Sequence, residues 1–202
     1  MSKYNLKTGD LILFDNGGCN PISFLIKYFT ESEITHVGII LKDPDFIDPP
    51  LKGYYVWESG WEDQPDPQDG QIKFGVQITP FDEICDKYKQ KKSAIFIRRI
   101  NCSPEYFDKN KLTEIHKVVY DKIYDCFPSD LIEAIHRNDR HPQKTSRFWC
   151  SALVGYIYTQ CGLLNSDTDW SILRPSDFSQ KYNNQLNFLN NITLGEQELF
   201  KY

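Results

Sequence analysis

The chain has 202 residues, of which 40% are hydrophobic and 14% aromatic, and this length and composition predict one well-buried domain spanning residues 1–202. Its formal net charge of -5, with Lys and Arg scattered along the chain, lacks the basic surface that nucleic-acid binding requires. No apolar run reaches the length of a membrane span, and the first residues lack the features of a secretion signal. We therefore expect a cytoplasmic protein with no nucleic-acid partner and no stable membrane insertion.

The predicted elements run in chain order from strands to helices. Short β-branched and aromatic runs predict strands at 10–14, 35–41, 54–59, 75–79 and 94–100. Loops rich in Pro and Asp are predicted at 43–53 and 62–71. Helices are expected at 20–30, 80–90, 104–123 and 148–161. This order predicts an α+β fold around a largely antiparallel sheet.

The last predicted helix carries Cys150 in its first turn. Side chains at spacings of three and four predict its core-facing stripe, namely Leu153, Tyr156, Ile157, Gln160 and Leu164. Cys150 lies outside that stripe, where the exposed N–H groups and the helix dipole favour an anion and so lower the pKa of a thiol. Cys150 is therefore a candidate nucleophile. The alternative is a small apolar filler, which is what we expect of Cys161 at the closing end of the helix.

His36 is the candidate general base. In the predicted strand at 35–41, His36, Gly38 and Ile40 share one face, so the imidazole interrupts an otherwise apolar surface. Gly38 removes side-chain bulk beside the ring and leaves space for another element to approach. The alternative is a core histidine with a backbone partner.

Glu58 is the candidate for the group that orients His36. If the two strands pair antiparallel with Gly38 opposite Val56, His36 lies directly opposite Glu58, with the side chains about 5 Å apart. A carboxylate at that distance can orient the ring and stabilise its protonated form. A solvated strand end is the alternative role for Glu58.

The other cysteines and histidines do not predict a metal site or a cofactor. The six cysteines are widely spread and form no C-x-x-C pair, which favours reduced thiols. His136 and His141 are close in a polar stretch, but two histidines leave a zinc shell incomplete. We therefore expect neither a metal nor a cofactor.

Six short motifs follow one another in an order that resembles a known family. They are TGDLILF, THVGIIL, WESG, GVQITPFDEI, KIYDCF and FWCSALVGYIY, and they span about residues 7 to 180. The order resembles the circularly permuted branch of the NlpC-type, papain-like cysteine peptidase superfamily, above all the YiiX/YaeF-like proteins and their poxvirus relatives. The resemblance implies a papain-like fold in which the histidine strand precedes the cysteine helix, and that helix packs against a mostly antiparallel sheet.

The resemblance also implies roles for individual residues. Cys150 matches the nucleophile, His36 the general base and Glu58 the residue that orients the base, which implies a thioester acyl-enzyme on an amide substrate. The backbone N–H of Cys150 is expected to help stabilise the oxyanion. Four further residues are candidates for substrate binding or for bracing the site: Tyr124, Asp125, Trp149 and Ser151.

The two acidic loops are expected near the mouth of the cleft. Their carboxylates would favour a cationic group on a peptide or amide substrate, and the alternative is an ordinary soluble loop surface. They belong to Asp43, Asp45, Asp48, Glu62, Asp63, Asp66 and Asp69.

Three functions remain open. The leading one is a cysteine peptidase or amidase. The second is a thiol acyltransferase or phospholipase, because lecithin retinol acyltransferase-like proteins share the His-before-Cys order, although they usually have an Asn-Cys-Glu context and an apolar anchor. The third is a binding module that keeps the fold without turnover. The residue usage and the poxvirus-like motif order make a large DNA virus one source, with the protein then in the host cytoplasm or the virion.

Overall fold

The computed structural model describes residues 4–15, 32–125 and 145–201. Within these ranges the strands are β1 (Leu11–Asp15), β2 (His36–Lys42), β3 (Tyr54–Pro65), β4 (Ile72–Pro80), β5 (Ala94–Arg98), β6 (Ile100–Asn101), β7 (Ile123–Tyr124), β8 (Arg147–Phe148), β9 (Thr193–Leu194) and β10 (Glu198–Leu199). The α-helices are α1 (Phe81–Lys91), α2 (Lys109–Val119) and α3 (Cys150–Gln160). Short 3-10 helices cover Pro104–Phe107, Trp170–Ile172, Pro175–Phe178 and Gln180–Tyr182.

One large sheet organises the described residues. Its strand order is β10-β5-β1-β2-β3-β4-β7-β8, and β6 and β9 form a separate pair. Neighbours in the large sheet are antiparallel except β7 and β8, which are parallel. The expectation of an α+β fold with a mostly antiparallel sheet is confirmed. That residues 1–202 form a single domain stays a prediction.

The sheet separates two hydrophobic clusters. Alternation along β2 shows this, because Val37, Ile39 and Leu41 belong to the cluster that includes α3, whereas Ile40 belongs to the cluster on the α1 side. Both faces of β2 are therefore covered, and this explains why its sequence is a nearly continuous apolar run instead of an apolar-polar alternation.

The helix predicted at 104–123 is broken into separate elements. A 3-10 turn covers Pro104–Phe107, and α2 begins only after Asp108. The Asp108 carboxylate accepts hydrogen bonds from the backbone N–H groups of Asn110 (2.9 Å) and Lys111 (3.2 Å), as a helix N-cap does. The helix ends at Val119, and Ile123, the last residue predicted to be helical, begins β7 instead. The helix predicted at 20–30 lies outside the described residues.

The cysteine helix α3 is buried on all sides, not along one stripe. Its residues from Cys150 to Tyr158 are all buried, because β2 and β3 pack on one side and the turn at Trp170–Ile172 packs on another. Gly155 permits this close packing: a Cβ atom there would lie 2.5 Å from a methyl carbon of Leu173. The helix also starts at Cys150 instead of 148, because β8 takes up the two residues before Trp149.

Part of the predicted 62–71 loop belongs to the structured interior. Strand β3 runs on to Pro65, and the side chains of Glu62 and Asp66 are buried. Lys73 pairs with Asp66 at 3.2 Å and with Asp69 at 2.6 Å. Lys73 therefore offsets one of the two charges of Asp66 and Asp69, which reduces what these carboxylates add to an acidic field at the mouth of a cleft.

Replacing Lys73 with Met is expected to lower the free energy of unfolding by about 3–5 kcal/mol, because it leaves the fully buried Asp66 carboxylate without its cation. Burial lowers the pKa of Lys73, but Asp69 and Asp66 outweigh this, so the net pKa is raised. The stabilisation is complete below the ordinary pKa of 10.5 and is lost as the pH rises through the raised value. Urea unfolding at neutral and alkaline pH measures both effects.

The matched control is Lys117→Met, since Lys117 pairs with Glu114 at 2.6 Å while both side chains are well exposed. An exposed pair of this kind contributes at most about 1 kcal/mol. Equal urea midpoints for the two variants would contradict the prediction.

Four of the six cysteines lie in the described residues, and no disulfide joins any two of them: Cys85, Cys102, Cys150 and Cys161. Cys102, Cys150 and Cys161 are free thiols, as the sequence predicted. Cys161 is almost fully buried, and burial raises its pKa to about 12, in keeping with a packing role. None of the helices described has both the length and the apolar composition needed to cross a bilayer.

Candidate active site

The pairing of β2 with β3 sets the position of His36 against Glu58. The observed register pairs Ile40 with Val56, whereas the prediction paired Gly38 with Val56. The predicted register is therefore wrong by two residues. A shift of two keeps every side chain on its face of the sheet, so His36 and Glu58 still share a face but are diagonal neighbours.

The diagonal arrangement brings the two side chains into contact. His36 Nε2 lies 2.6 Å from Glu58 Oε2, with the Glu58 side chain fully buried and that of His36 11% exposed. Gly60 faces the ring, since a Cβ atom there would lie 3.2 Å from His36 Cε1. At Gly38 the space predicted beside the imidazole is instead filled by Val56 and by the Cβ of Glu58.

Cys150 is the first residue of α3, and its thiol is buried against the His36 ring. The thiol is close enough to the ring to raise the pKa of the imidazole. Trp149 at the N-cap supplies no side-chain cap, so the N–H groups of the first turn keep their capacity for another acceptor. Ser59 donates a 2.6 Å hydrogen bond to the carbonyl of Phe148, which ties β3 to the residues that lead into the helix.

His36 therefore lies between a thiol and a carboxylate. Burial lowers its pKa, but the charge and hydrogen bond of Cys150, followed by those of Glu58, raise the pKa well above the ordinary value of 6.5. Because Nε2 faces Glu58, Nδ1 is the ring nitrogen available to the thiol. The site therefore favours a protonated ring.

Tyr124 and Asp125, two predicted substrate-binding residues, lie at the end of β7 and directly after it, beside β8, which leads into the segment that carries Cys150. Tyr124 stacks on Phe74 with ring centroids 4.8 Å apart and an interplanar angle of 16°. Asp125 forms a 3.0 Å ion pair with Arg147 in β8. These contacts brace the approach to α3.

Trp149 and Ser151, the other two, are both buried. The Ser151 hydroxyl donates a 2.6 Å hydrogen bond to the Leu173 carbonyl and so helps to hold the helix in the core, while its role in substrate binding stays a prediction. The Trp149 Nε1 atom is buried and has no hydrogen-bond partner within 4–15, 32–125 and 145–201.

Two residues that the sequence reasoning missed extend the site behind Glu58. Lys87 on α1 donates to Glu62 Oε2 at 2.8 Å and to the Glu62 carbonyl at 2.9 Å. Burial, and then the charge of Glu58, raise the pKa of Glu62 to about 7. The sequence could have indicated Glu62, because residues four apart on an extended strand, such as Glu58 and Glu62, point to the same face of the sheet. It was missed because the predicted strand ended at 59.

Three side chains of this site could together bind a metal ion. His36, Glu58 and Glu62 each offer a ligand atom, and these atoms lie within 4.8 Å of one another. The second oxygen of Glu58, Oε1, is buried without a hydrogen-bond partner in the described part of the chain. One nitrogen and two carboxylates fit the donor preferences of zinc. The histidine pair of the polar stretch, His136 and His141, lies outside the described residues.

Replacing Gly60 with Ala is expected to displace the His36 ring by a few tenths of an ångström and to slow alkylation of Cys150 by about tenfold, because small misplacements of catalytic groups have large kinetic effects. Gly195→Ala is the matched control, since its added Cβ makes only ordinary contacts of 3.4 Å or more. Mass spectrometry of iodoacetamide-treated protein measures the rate. An unchanged rate in a folded Gly60→Ala protein would show that the ring is not confined by β3.

Comparisons with known proteins place the fold. No protein-family model matches the chain, and no curated protein matches it. Among solved structures it is similar to the crystal structure of metalloprotein yiiX from Escherichia coli O157:H7, with a TM-score of 0.51 and 18% sequence identity. The match covers 97% of this chain and 89% of that one. The chain therefore has a yiiX-like α+β fold.

Proposed function

We propose that this protein is a cysteine hydrolase, a peptidase or amidase, with Cys150 as nucleophile, His36 as general base and Glu58 as the group that orients the base. The observation that carries the proposal is the buried His36 ring, which lies 2.6 Å from the Glu58 carboxylate and close enough to the Cys150 thiol for that thiol to raise its pKa. A nucleophile, a base in contact with it and a third group that fixes the base are the parts that thiol acyl transfer needs.

Each step can be assigned to these groups. The Cys150 thiolate attacks the carbonyl carbon of an amide, and the backbone N–H of Cys150 at the start of α3 donates to the oxyanion. His36 gives its proton to the leaving amine as the C–N bond breaks, which leaves a thioester on Cys150. His36 then takes a proton from water, the hydroxide attacks the thioester, and the thiolate departs. Glu58 orients the ring and stabilises the imidazolium.

The fold and the motif order support this assignment. The yiiX-like fold agrees with the resemblance to the circularly permuted, NlpC-type branch of the papain-like superfamily, in which the histidine strand precedes the cysteine helix. The Escherichia coli yiiX protein is called a metalloprotein. In this chain His36, Glu58 and Glu62 would hold such an ion, which would occupy His36 and so compete with its role as the base.

The proposed substrate is a peptide or another amide. A preference for a cationic group now rests mainly on the 43–53 loop, because Asp66 and Asp69 pair with Lys73, and Glu62 pairs with Lys87. In the 43–53 loop, Asp45 also pairs with Lys109, at 3.8 Å and with both side chains exposed.

Acid quenching of the protein after incubation with a cell lysate, followed by mass spectrometry of the Cys150 peptide, tests the chemistry. An aminoacyl or peptidyl adduct on Cys150 is expected, and it should disappear in Cys150→Ser but persist in Cys102→Ser, the half-buried free thiol of the same chain. A fatty-acyl adduct would favour the acyltransferase or phospholipase function, for which liposome flotation is a further check. A thiol no more reactive than Cys102 and without adducts would favour the non-catalytic binding module.

A further inference from the structure

A buried acidic pocket lies directly behind the proposed triad. Glu58 and Glu62 lie four residues apart on β3 and therefore point to the same face of the sheet, where His36 reaches them from β2. The exposed fractions of the three residues are 0% for Glu58, 6% for Glu62 and 9% for His36. Two carboxylates held this close and away from water repel each other, and such pairs are stable only with a compensating cation or proton.

The hydrogen bonds within the pocket leave one buried oxygen unsatisfied. Glu58 uses Oε2 for His36, and its Oε1 has no partner in the described residues. A buried polar atom without a partner costs about 1–3 kcal/mol, so native structures rarely leave one without a ligand or water. Lys87 holds Glu62 through Oε2.

Charge and donor chemistry favour a divalent transition metal. Two carboxylates face one ammonium, that of Lys87, so the pocket has one excess negative charge whenever the His36 ring loses its proton, and a bound cation would replace that proton. An imidazole nitrogen with carboxylate oxygens is a donor set that Zn²⁺ accepts, and its ligand atoms lie about 3.4 Å apart in tetrahedral geometry. The widest separation of 4.8 Å would have to shorten by about 1.4 Å, which a rotation of the glutamate side chains can supply.

We propose that His36, Glu58 and Glu62 form a binding site for a divalent transition metal of the Zn²⁺ type, and that an ion bound there inhibits the hydrolase because it takes the lone pair of the base. The inhibitory part rests on the proposed function. The binding part does not, since it needs the three side chains and not turnover.

Isothermal titration calorimetry of ZnCl₂ into the metal-free full-length protein tests the binding part. Glu62→Gln is expected to weaken the affinity at least about tenfold. Glu114→Gln is the matched control, because Glu114 also pairs with a lysine but on the exposed surface, and it is expected to bind zinc as the wild type does. No binding to the wild type, or equal affinity in Glu62→Gln, would overturn the proposal.

Zinc-edge X-ray absorption of the loaded wild-type protein needs no substitution and reports the ligands directly. A shell of nitrogen and oxygen alone supports the site, whereas a sulfur ligand at about 2.3 Å would assign the ion to Cys150 and overturn it. Zinc is also expected to slow alkylation of Cys150. Zinc binding by a protein whose Cys150 is unreactive would refute the hydrolase and leave the metal site supported. A reactive Cys150 that zinc neither binds near nor protects from alkylation would refute the metal site and leave the hydrolase supported.

Discussion

Replacing His36 with Ala is expected to slow alkylation of Cys150 near pH 6.5 by about ten- to a hundredfold. An unperturbed thiol, with a pKa of about 8.5, is only about 1% thiolate at that pH. In the wild type the raised pKa of His36 keeps the ring cationic through neutral pH, which stabilises a thiolate beside it. The faster alkylation of Cys150 in the wild type should therefore be present in mild acid and at neutral pH. It should fade as the pH rises through the raised pKa of His36.

His116→Ala is the control for this experiment. His116 is also partly buried and packs against Phe46, but it is hydrogen bonded to Gln68 and takes no part in the proposed triad. Its replacement should leave the pH profile of Cys150 alkylation unchanged. A wild-type profile that simply rises through pH 8.5, or equal rates in the two variants, would refute the role assigned to His36. Glu58→Gln should fall between wild type and His36→Ala, because it keeps the shape of the side chain and removes its charge.

Replacing Arg98 with Met is expected to lower the free energy of unfolding by at least about 3 kcal/mol, a large part of the stability of an ordinary domain. Arg98 is fully buried at the end of β5, and burial lowers its pKa to about 10. Its guanidinium donates to the carbonyls of Phe178 (2.9 Å), Leu194 (3.3 Å) and Gly195 (2.8 and 2.9 Å) and to the Asn183 side chain (2.6 Å). Without it these buried acceptors lose their donors.

Arg99→Met provides a neighbouring control. Arg99 is 41% exposed and pairs with the exposed Glu198, so its loss should lower stability by at most about 1 kcal/mol. Urea unfolding gives the two differences, and hydrogen exchange should show faster exchange in the C-terminal segment of the Arg98→Met protein. Arg98→Lys should also be destabilised, since an ammonium cannot reproduce the planar donor fork. Equal midpoints for Arg98→Met and Arg99→Met would contradict this account.

Local sequence patterns predicted the parts of the candidate site that depend on nearby residues. The alternation in β2 and β3 placed His36 and Glu58 on one face, and this survived a register error of two because an even shift preserves the face. The break in the predicted helix at Asp108 could also have been predicted, since aspartate is one of the residues most often found at a helix N-cap.

Contacts between distant segments were beyond local patterns. The burial of Glu62 depends on Lys87, which lies 25 residues further along on a helix that packs across the sheet. The complete burial of α3 depends on β2, β3 and the turn at Trp170–Ile172. Ser151, beside the proposed nucleophile, is likewise drawn into the core by Leu173, 22 residues away.

The sequence by itself determined that an α+β chain carries a cysteine at a helix start and a histidine and a glutamate on one face of neighbouring strands. These are properties of periodicity and end position, which a few adjacent residues specify. Only the tertiary structure decided that the three side chains come together and that Glu62 and Lys87 lie behind them. It also decided which carboxylates of the acidic loops pair with lysines. Those outcomes depend on strand register and on packing between segments far apart in the chain, which local preferences do not encode.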